Sequence, residues 1–290
     1  MTDFKGCGTA LFTPFRDGAP DLQAMAACVH RQVEGGIDFL VPLGTTGETP
    51  TLSDTEKLDV FHCTRENAGG LPVVVGVGTN SVNGTLANIR LLHEADAFLV
   101  VVPYYNKPPQ RGIYEYFKTI AGETDKPVIL YNVPGRTGSN IEAETTLRLA
   151  SDVPNIVAIK EASGKFDQIN AVIQGRPEGF SVLSGNDDDT LDLMTVGADG
   201  VVSVASNVAP SLMTEFVHAA QDGNFDKATT LDKKLGPLFK NLFIEPNPIP
   251  GKAAMGLLGL MENSLRLPLV TATAETERIM KETLENLGLL

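Results

Sequence analysis

Eight short apolar runs, each closed by Gly, Pro, Ser or Asn, recur along the first three quarters of this 290-residue chain. They cover residues 8–14, 39–44, 72–78, 97–103, 127–134, 156–163, 180–186 and 200–206. Each is too short for a helix and too continuous for a strand with one wet face, so each reads as a parallel strand buried on both sides. Helical patterns fill the gaps. Asp21 opens a segment with Leu22, Met25, Val29 and Val33 on one face, and Ser53-Asp54-Thr55-Glu56 is a capping box ahead of Leu58, Val60 and Phe61. Strand–helix units repeated in series predict an α/β fold, a (β/α)8 TIM barrel, rather than an open doubly wound sheet. No Gly-x-Gly-x-x-Gly follows the first strand, which weakens a dinucleotide-binding alternative.

From about residue 225 the strand pattern stops. Residues 225–243, 250–262 and 274–287 predict three helices, with Glu245-Pro246-Asn247-Pro248-Ile249-Pro250 as a stiff connector. The expected organisation is a catalytic barrel over 1–224 and a C-terminal three-helix extension over 225–290. By itself the extension suggests packing or oligomer contacts rather than chemistry.

A net charge of −13 argues against nucleic acid, which calls for a basic surface. No apolar run approaches the roughly 18–20 residues of a membrane span. The N-terminus lacks a basic-then-apolar leader pattern, so a cytoplasmic location is expected. Cys7, Cys28 and Cys63 are odd in number and far apart, and they read as small core residues rather than a disulfide framework. His30, His62, His93 and His218 are scattered without a His-Glu-x-x-His pattern, so no metal site is expected.

Barrel enzymes carry their chemistry at the carboxyl ends of the strands. Lys160 ends the apolar run Ile156-Val157-Ala158-Ile159 of the sixth strand, sharing a face with Ile156 and Ala158. A lysine there loses solvation of its ammonium, its pKa falls, and a neutral amine becomes available to attack a carbonyl. Position alone favours the plainer reading, a lysine that snorkels to water. After the second strand, Gly44-Thr45-Thr46-Gly47-Glu48 is either an ordinary threonine turn or a cradle of N–H and hydroxyl donors for a small carboxylate.

Pro103-Tyr104-Tyr105-Asn106-Lys107-Pro108 follows the fourth strand and suits packing, an oligomer contact or a site. Tyr131 closes the fifth strand, beside Lys160, where a phenol can move the protons of imine formation. Arg136, in the loop Pro134-Gly135-Arg136-Thr137-Gly138, is either simply solvated or a fork for a carboxylate. Asp187-Asp188-Asp189, after the seventh strand, read as a helix start. As a set these groups suit a keto acid: carboxylate on Thr45–Thr46, carbonyl on Lys160, and a second acidic substrate on Arg136.

These residues resemble the dihydrodipicolinate synthase (4-hydroxy-tetrahydrodipicolinate synthase) family, within the N-acetylneuraminate lyase superfamily of class I pyruvate aldolases. Gly44-Thr45-Thr46-Gly47-Glu48, Tyr131-Asn132-Val133-Pro134 and Ile159-Lys160-Glu161 carry the superfamily resemblance. Tyr104-Tyr105 and Gly135-Arg136-Thr137-Gly138 resemble the synthases in particular, since N-acetylneuraminate lyases have an apolar residue at the Arg136 position. The resemblance spans essentially the whole chain.

It implies a lyase of lysine and diaminopimelate biosynthesis that needs no cofactor, because pyruvate itself forms a covalent imine on Lys160. The enamine then attacks L-aspartate 4-semialdehyde. Thr45, Tyr131 and Tyr105 would relay protons, with Tyr105 reaching in from a neighbouring subunit. Thr46 would hold the pyruvate carboxylate and Arg136 that of the semialdehyde, while Gly185 and Val202 shape the pyruvate pocket. A homotetramer, a dimer of dimers, is implied. Another pyruvate-dependent aldolase, acting on a sugar acid or a hydroxy-keto acid, is the rival expectation, and a non-catalytic keto-acid-binding barrel a remote one.

Some family members are inhibited by lysine near the Tyr104 and Asn80 positions. This chain departs from that pattern, with Asp54 and Lys57 where inhibited members have histidines, and Gly84 where they have a glutamate. Weak or absent lysine inhibition is the expectation.

Overall fold

The computed structural model describes residues 4–290. The predicted strands form β1 (Gly6–Ala10), β2 (Phe39–Val41), β3 (Val74–Gly76), β4 (Ala97–Val101), β5 (Val128–Asn132), β6 (Ile156–Glu161), β7 (Ser181–Ser184) and β8 (Gly200–Ser203). They lie in one sheet in the order β2-β1-β8-β7-β6-β5-β4-β3. An isolated parallel bridge, Leu40↔Val73, joins β2 to the residue just before β3. Helices follow the strands: α1 (Leu22–Glu34), α2 (Asp54–Asn67), α3 (Val82–Leu91), α4 (Gln110–Ala121), α5 (Ala143–Asp152), α6 (Phe166–Gly175), α7 (Thr190–Thr195) and α8 (Pro210–Gln221). This is the (β/α)8 barrel that the repeating pattern predicts, followed by α9 (Phe225–Asn241), α10 (Ile249–Leu257) and α11 (Ala274–Leu287).

The chain divides into two compact units. One holds Val74–Val202 together with Phe4 and Lys5. Its strands β3 to β7 pair in parallel from neighbour to neighbour, and Phe98, Val100, Leu130, Ala158, Ile159 and Val182 on them are fully buried. Burial on both faces explains why these runs are continuously apolar rather than alternating.

The other unit holds Gly6–Val73 and Ser203–Leu290. Here β1 pairs with β2 in parallel, and Phe12, Phe15, Phe39, Phe61 and Phe216 form large buried side chains. In α2 the capping box forms as the sequence predicts: Ser53 Oγ accepts from the Glu56 N–H and Glu56 Oε2 accepts from the Ser53 N–H.

Most strands end a few residues short of their apolar runs, and two boundaries differ most from expectation. The first strand runs over Gly6–Ala10 rather than 8–14, because Leu11 still donates to Val41 O but the Phe12 N–H leaves the ladder for Asn207 Oδ1, and Pro14 has no N–H to give. The released segment turns into a small hairpin, Phe15–Arg16 against Ala19–Pro20. The helix expected over 250–262 stops at Leu257, where Gly259 at φ +69° turns the chain away. Among the described residues no helix is long and apolar enough to cross a membrane.

Candidate active site

Within the Val74–Val202 unit, β6 places Lys160 in register with Tyr131 of β5 on one side and Leu183 of β7 on the other. This register depends on an irregularity in which Val157 is skipped between the pairs Val128↔Ile156 and Ile129↔Ala158, and it brings the Lys160 Nζ to 4.5 Å from the centre of the Tyr131 ring. Lys160 is 5% exposed. Burial pulls its pKa down to about 8; the nearby Asp187 carboxylate opposes that shift and the Arg136 guanidinium adds to it. The amine therefore has an appreciable neutral fraction near pH 7, the form able to attack a carbonyl. Burial pushes the Tyr131 phenol up to about 12 against the pull of Arg136, so it stays protonated and able to donate.

The opposite face of β6 is fixed by a buried polar network. Glu161 accepts from Asn132 Nδ2 at 3.0 and 3.1 Å, from the Ser163 N–H at 2.9 Å and from Gln168 Nε2 at 3.3 Å. Asn132 Nδ2 also reaches Asn140 Oδ1, and the Asn132 carbonyl oxygen accepts from Ala162 N–H. Burial raises the Glu161 pKa, and these donors oppose the shift. Residues 132 and 161 thus lock the strand ends that carry Tyr131 and Lys160.

Gly185, just past β7, has no room for a side chain. A Cβ there would lie 2.6 Å from Ala162 Cβ, 3.1 Å from Glu161 O and 3.1 Å from Lys160 Cε. Gly185→Ala is expected to displace the lysine and slow imine formation at Lys160 with a small keto acid about 10-fold or more; borohydride trapping over time will test it, and an unchanged rate would mean that Lys160 yields freely. Val202, on β8, is buried.

Arg136 lies in a single helical turn, Pro134–Thr137, that caps the exit from β5, and it is exposed. In the β4–α4 loop, Tyr105 is 88% exposed and held at φ +72°, a left-handed conformation costly for a non-glycine residue. Its N–H donates to Thr137 O at 3.0 Å, which ties this loop to the Arg136 turn. Tyr104 is 39% exposed. In the same unit a Cβ on Gly84 would meet Thr79 Oγ1 at 2.7 Å, and Thr79 is itself bonded to Ser81 O. The Asn80 carbonyl accepts from Asn106 Nδ2.

In the other unit, a 3-10 turn, Thr45–Gly47, follows β2. Leu43 at φ +58° and Glu48 at φ +53° bracket it, two left-handed non-glycine residues within six positions. Thr45 is exposed and Thr46 buried, with Thr46 Oγ1 accepting from Asn247 Nδ2 at 3.0 Å. Asp54 and Lys57 form an ion pair of 2.8 Å in the first turn of α2.

With this geometry in view, the comparisons with known proteins are decisive. The model of the dihydrodipicolinate synthetase family matches residues 3–287. The chain belongs to this family. A 4-hydroxy-tetrahydrodipicolinate synthase of Thermotoga neapolitana is 48% identical over 293 residues, covering 99% of this chain and all of the relative. The crystal structure of dihydrodipicolinate synthase from Thermotoga maritima superposes with a TM-score of 0.98 at 45% identity, covering both chains completely. A monomeric dihydrodipicolinate synthase variant also superposes at 0.98, with 46% identity over 99% of this chain and 98% of the variant. The chain is accordingly an enzyme, a lyase of the dihydrodipicolinate synthetase family.

Sequence reading passed over several residues at this site. The run Asp187-Asp188-Asp189 predicts a helix start, but only Asp189 stands at the N-cap of α7, while Asp187 is buried and acts on the charge of Lys160. Asn132 and Glu161 were quoted only as parts of motifs, and Asn247 only as part of a connector. Among the described residues no group of three or more His, Cys, Asp or Glu could hold a metal ion. The three cysteines are buried, and none of them forms a disulfide among the described residues.

Proposed function

We propose that this chain condenses pyruvate with L-aspartate 4-semialdehyde through an imine on Lys160, the 4-hydroxy-tetrahydrodipicolinate synthase reaction. The observation that carries this reading is the buried Lys160 amine, its pKa drawn down to about 8, lying over the ring of Tyr131, whose phenol stays protonated. Lys160 Nζ attacks the keto carbon of pyruvate, and loss of water leaves the imine. Tyr131 supplies and takes back the protons of that step, with Thr45 and Tyr105 extending the relay. Thr46 receives the pyruvate carboxylate. Loss of a methyl proton gives the enamine, whose carbon bonds to the aldehyde carbon of the semialdehyde. Arg136 holds the semialdehyde's carboxylate as a two-pronged donor. The semialdehyde's amine then attacks the imine carbon, closes the ring and releases Lys160. Gly185 and Val202 wall the pyruvate end, and no cofactor or metal takes part.

The exposure of Tyr105 supports a role completed by a neighbouring copy, in a homotetramer built as a dimer of dimers. We place the enzyme in the cytoplasm. The test is direct: incubation with pyruvate, borohydride reduction and peptide mapping are expected to find the adduct on Lys160, and addition of semialdehyde to unreduced enzyme to give product. An adduct elsewhere, or none, refutes the mechanism; an adduct without condensation refutes the second substrate.

Lysine is expected to inhibit weakly or not at all. Asp54 and Lys57 are already paired with each other, and Gly84 offers no carboxylate to an incoming ammonium. A charge-assisted partner of that kind contributes ~1.5–3 kcal/mol. Half-inhibition by submillimolar lysine in an assay of the pure enzyme would contradict this.

A further inference from the structure

The Thr45–Gly47 turn is held from behind by a buried ionic clamp supplied by the C-terminal segment of its own unit. Glu48, which ends the turn, is 2% exposed, and its backbone N–H donates to Thr45 O at 3.1 Å. One carboxylate oxygen meets Lys252 Nζ at 2.5 Å, and the other accepts from the Arg266 N–H at 3.0 Å. Lys252 is fully buried in α10, donates to Ser264 O at 2.9 Å, and stands 4.2 Å from the centre of the Phe15 ring. The Arg266 guanidinium covers the same ring at 4.6 Å and pairs with Glu56 in the first turn of α2. Next to the clamp, a Cβ on Gly251 would meet Phe12 Cζ at 2.3 Å, so the start of α10 is pressed against the chain leaving β1.

A buried ion pair adds little net stability over a well-packed apolar pair, because desolvation cancels most of its attraction. What such a pair does supply is fixed geometry, here at a residue whose left-handed backbone is intrinsically unfavourable. The neighbouring bond from Asn247 has a directional consequence. A threonine hydroxyl has one proton to donate, and with Asn247 Nδ2 occupying a lone pair of Thr46 Oγ1, that proton is left to point elsewhere.

We infer that Glu48, Lys252 and Asn247 are positioning residues for substrate binding, holding the Thr45–Thr46 turn so that the Thr46 hydroxyl donates to the carboxylate of an α-keto acid. The C-terminal extension is then part of the substrate-recognition machinery and not only packing. This rests on the reading above that Thr46 receives the pyruvate carboxylate.

The test uses the full chain and compares Asn247→Ala, Lys252→Met and the charge-free pair Glu48→Gln/Lys252→Met with Thr46→Val as the benchmark. The expected result is a KM for pyruvate raised about 10-fold or more in each, with a smaller loss of kcat at saturating pyruvate through Thr45 and the KM for semialdehyde unmoved. A merely structural role would instead lower the folded fraction, reducing kcat and leaving KM alone. If Lys252→Met fails to fold, the charge-free pair and Asn247→Ala decide the matter. Unchanged pyruvate KM in those two, with Thr46→Val raised, would overturn the clamp and leave the role of Thr46 standing. An unchanged KM in Thr46→Val would overturn that role and the inference together.

Discussion

Lys160→Met is expected to lower kcat/KM for condensation by roughly 10³-fold or more, because the covalent route disappears with the amine. Borohydride reduction in the presence of pyruvate will then leave the variant unmodified, while its circular dichroism matches that of the parent. Methionine has a similar length and no charge to bury, so folding is expected to survive the change. A variant that retained activity within about tenfold would end every imine mechanism for this chain.

The pH profile of the parent enzyme offers a second reading of the same residue. Only the neutral amine attacks, and burial holds the Lys160 pKa at about 8. The nucleophilic fraction therefore grows roughly tenfold per pH unit well below 8 and levels off above it. An ordinary lysine at 10.5 would still be climbing there. The limiting rate of imine formation is expected to follow the first curve.

Arg136→Ala is expected to lower kcat/KM for L-aspartate 4-semialdehyde about 10- to 200-fold, as loss of a charge-assisted bond of ~1.5–3 kcal/mol requires. Trapping of pyruvate on Lys160 should fall far less, since Arg136 is the smallest of the named influences on the Lys160 pKa. The separation follows from placement: Arg136 is exposed in a one-turn helix beyond β5, and its side chain makes no hydrogen bond or ion pair among the described residues. Its removal therefore leaves the scaffold largely untouched. Arg136→Lys keeps the charge but not the fork, and is expected to recover only part of the loss. Equal losses with pyruvate trapping and with semialdehyde would show that Arg136 supports the fold of the loop instead. In that case the second carboxylate would have to be held by another group.

Much of the fold was legible because parallel strands buried on both faces must be apolar throughout, and that signal survives without any knowledge of contacts. The strand counting that places Tyr131 and Lys160 on neighbouring strands needs nothing further, but their register does not follow from it, because skipping Val157 shifts the pairing by one residue. Boundaries were less legible. Phe12 and Thr13 look like strand, yet they leave the ladder because Asn207, almost two hundred positions away, takes the Phe12 N–H.

Lys252 illustrates the other kind of gap. Sequence reading singled out Lys160 as the lysine embedded in an apolar strand, but Lys252, in Ile249–Leu257, is more deeply buried. Its setting of Ala253, Ala254 and Met255 held a faint signal, since an α-helix can leave one polar face for a charge among apolar neighbours. Nothing local says that this face meets Glu48 rather than water.

By itself the sequence determined the barrel, the order of its strands, the strand lysine proposed as nucleophile and the set of groups that suit a keto acid, because each of these depends on short-range pattern and residue chemistry. Only the tertiary structure decided which groups shift the charge of Lys160, how closely Gly185 is packed, and what holds the Thr45–Thr46 turn. The reason is physical. Desolvation, steric fit and buried ion pairing depend on atoms brought together from distant parts of the chain, and a one-dimensional pattern records which residues are available without recording which of them meet.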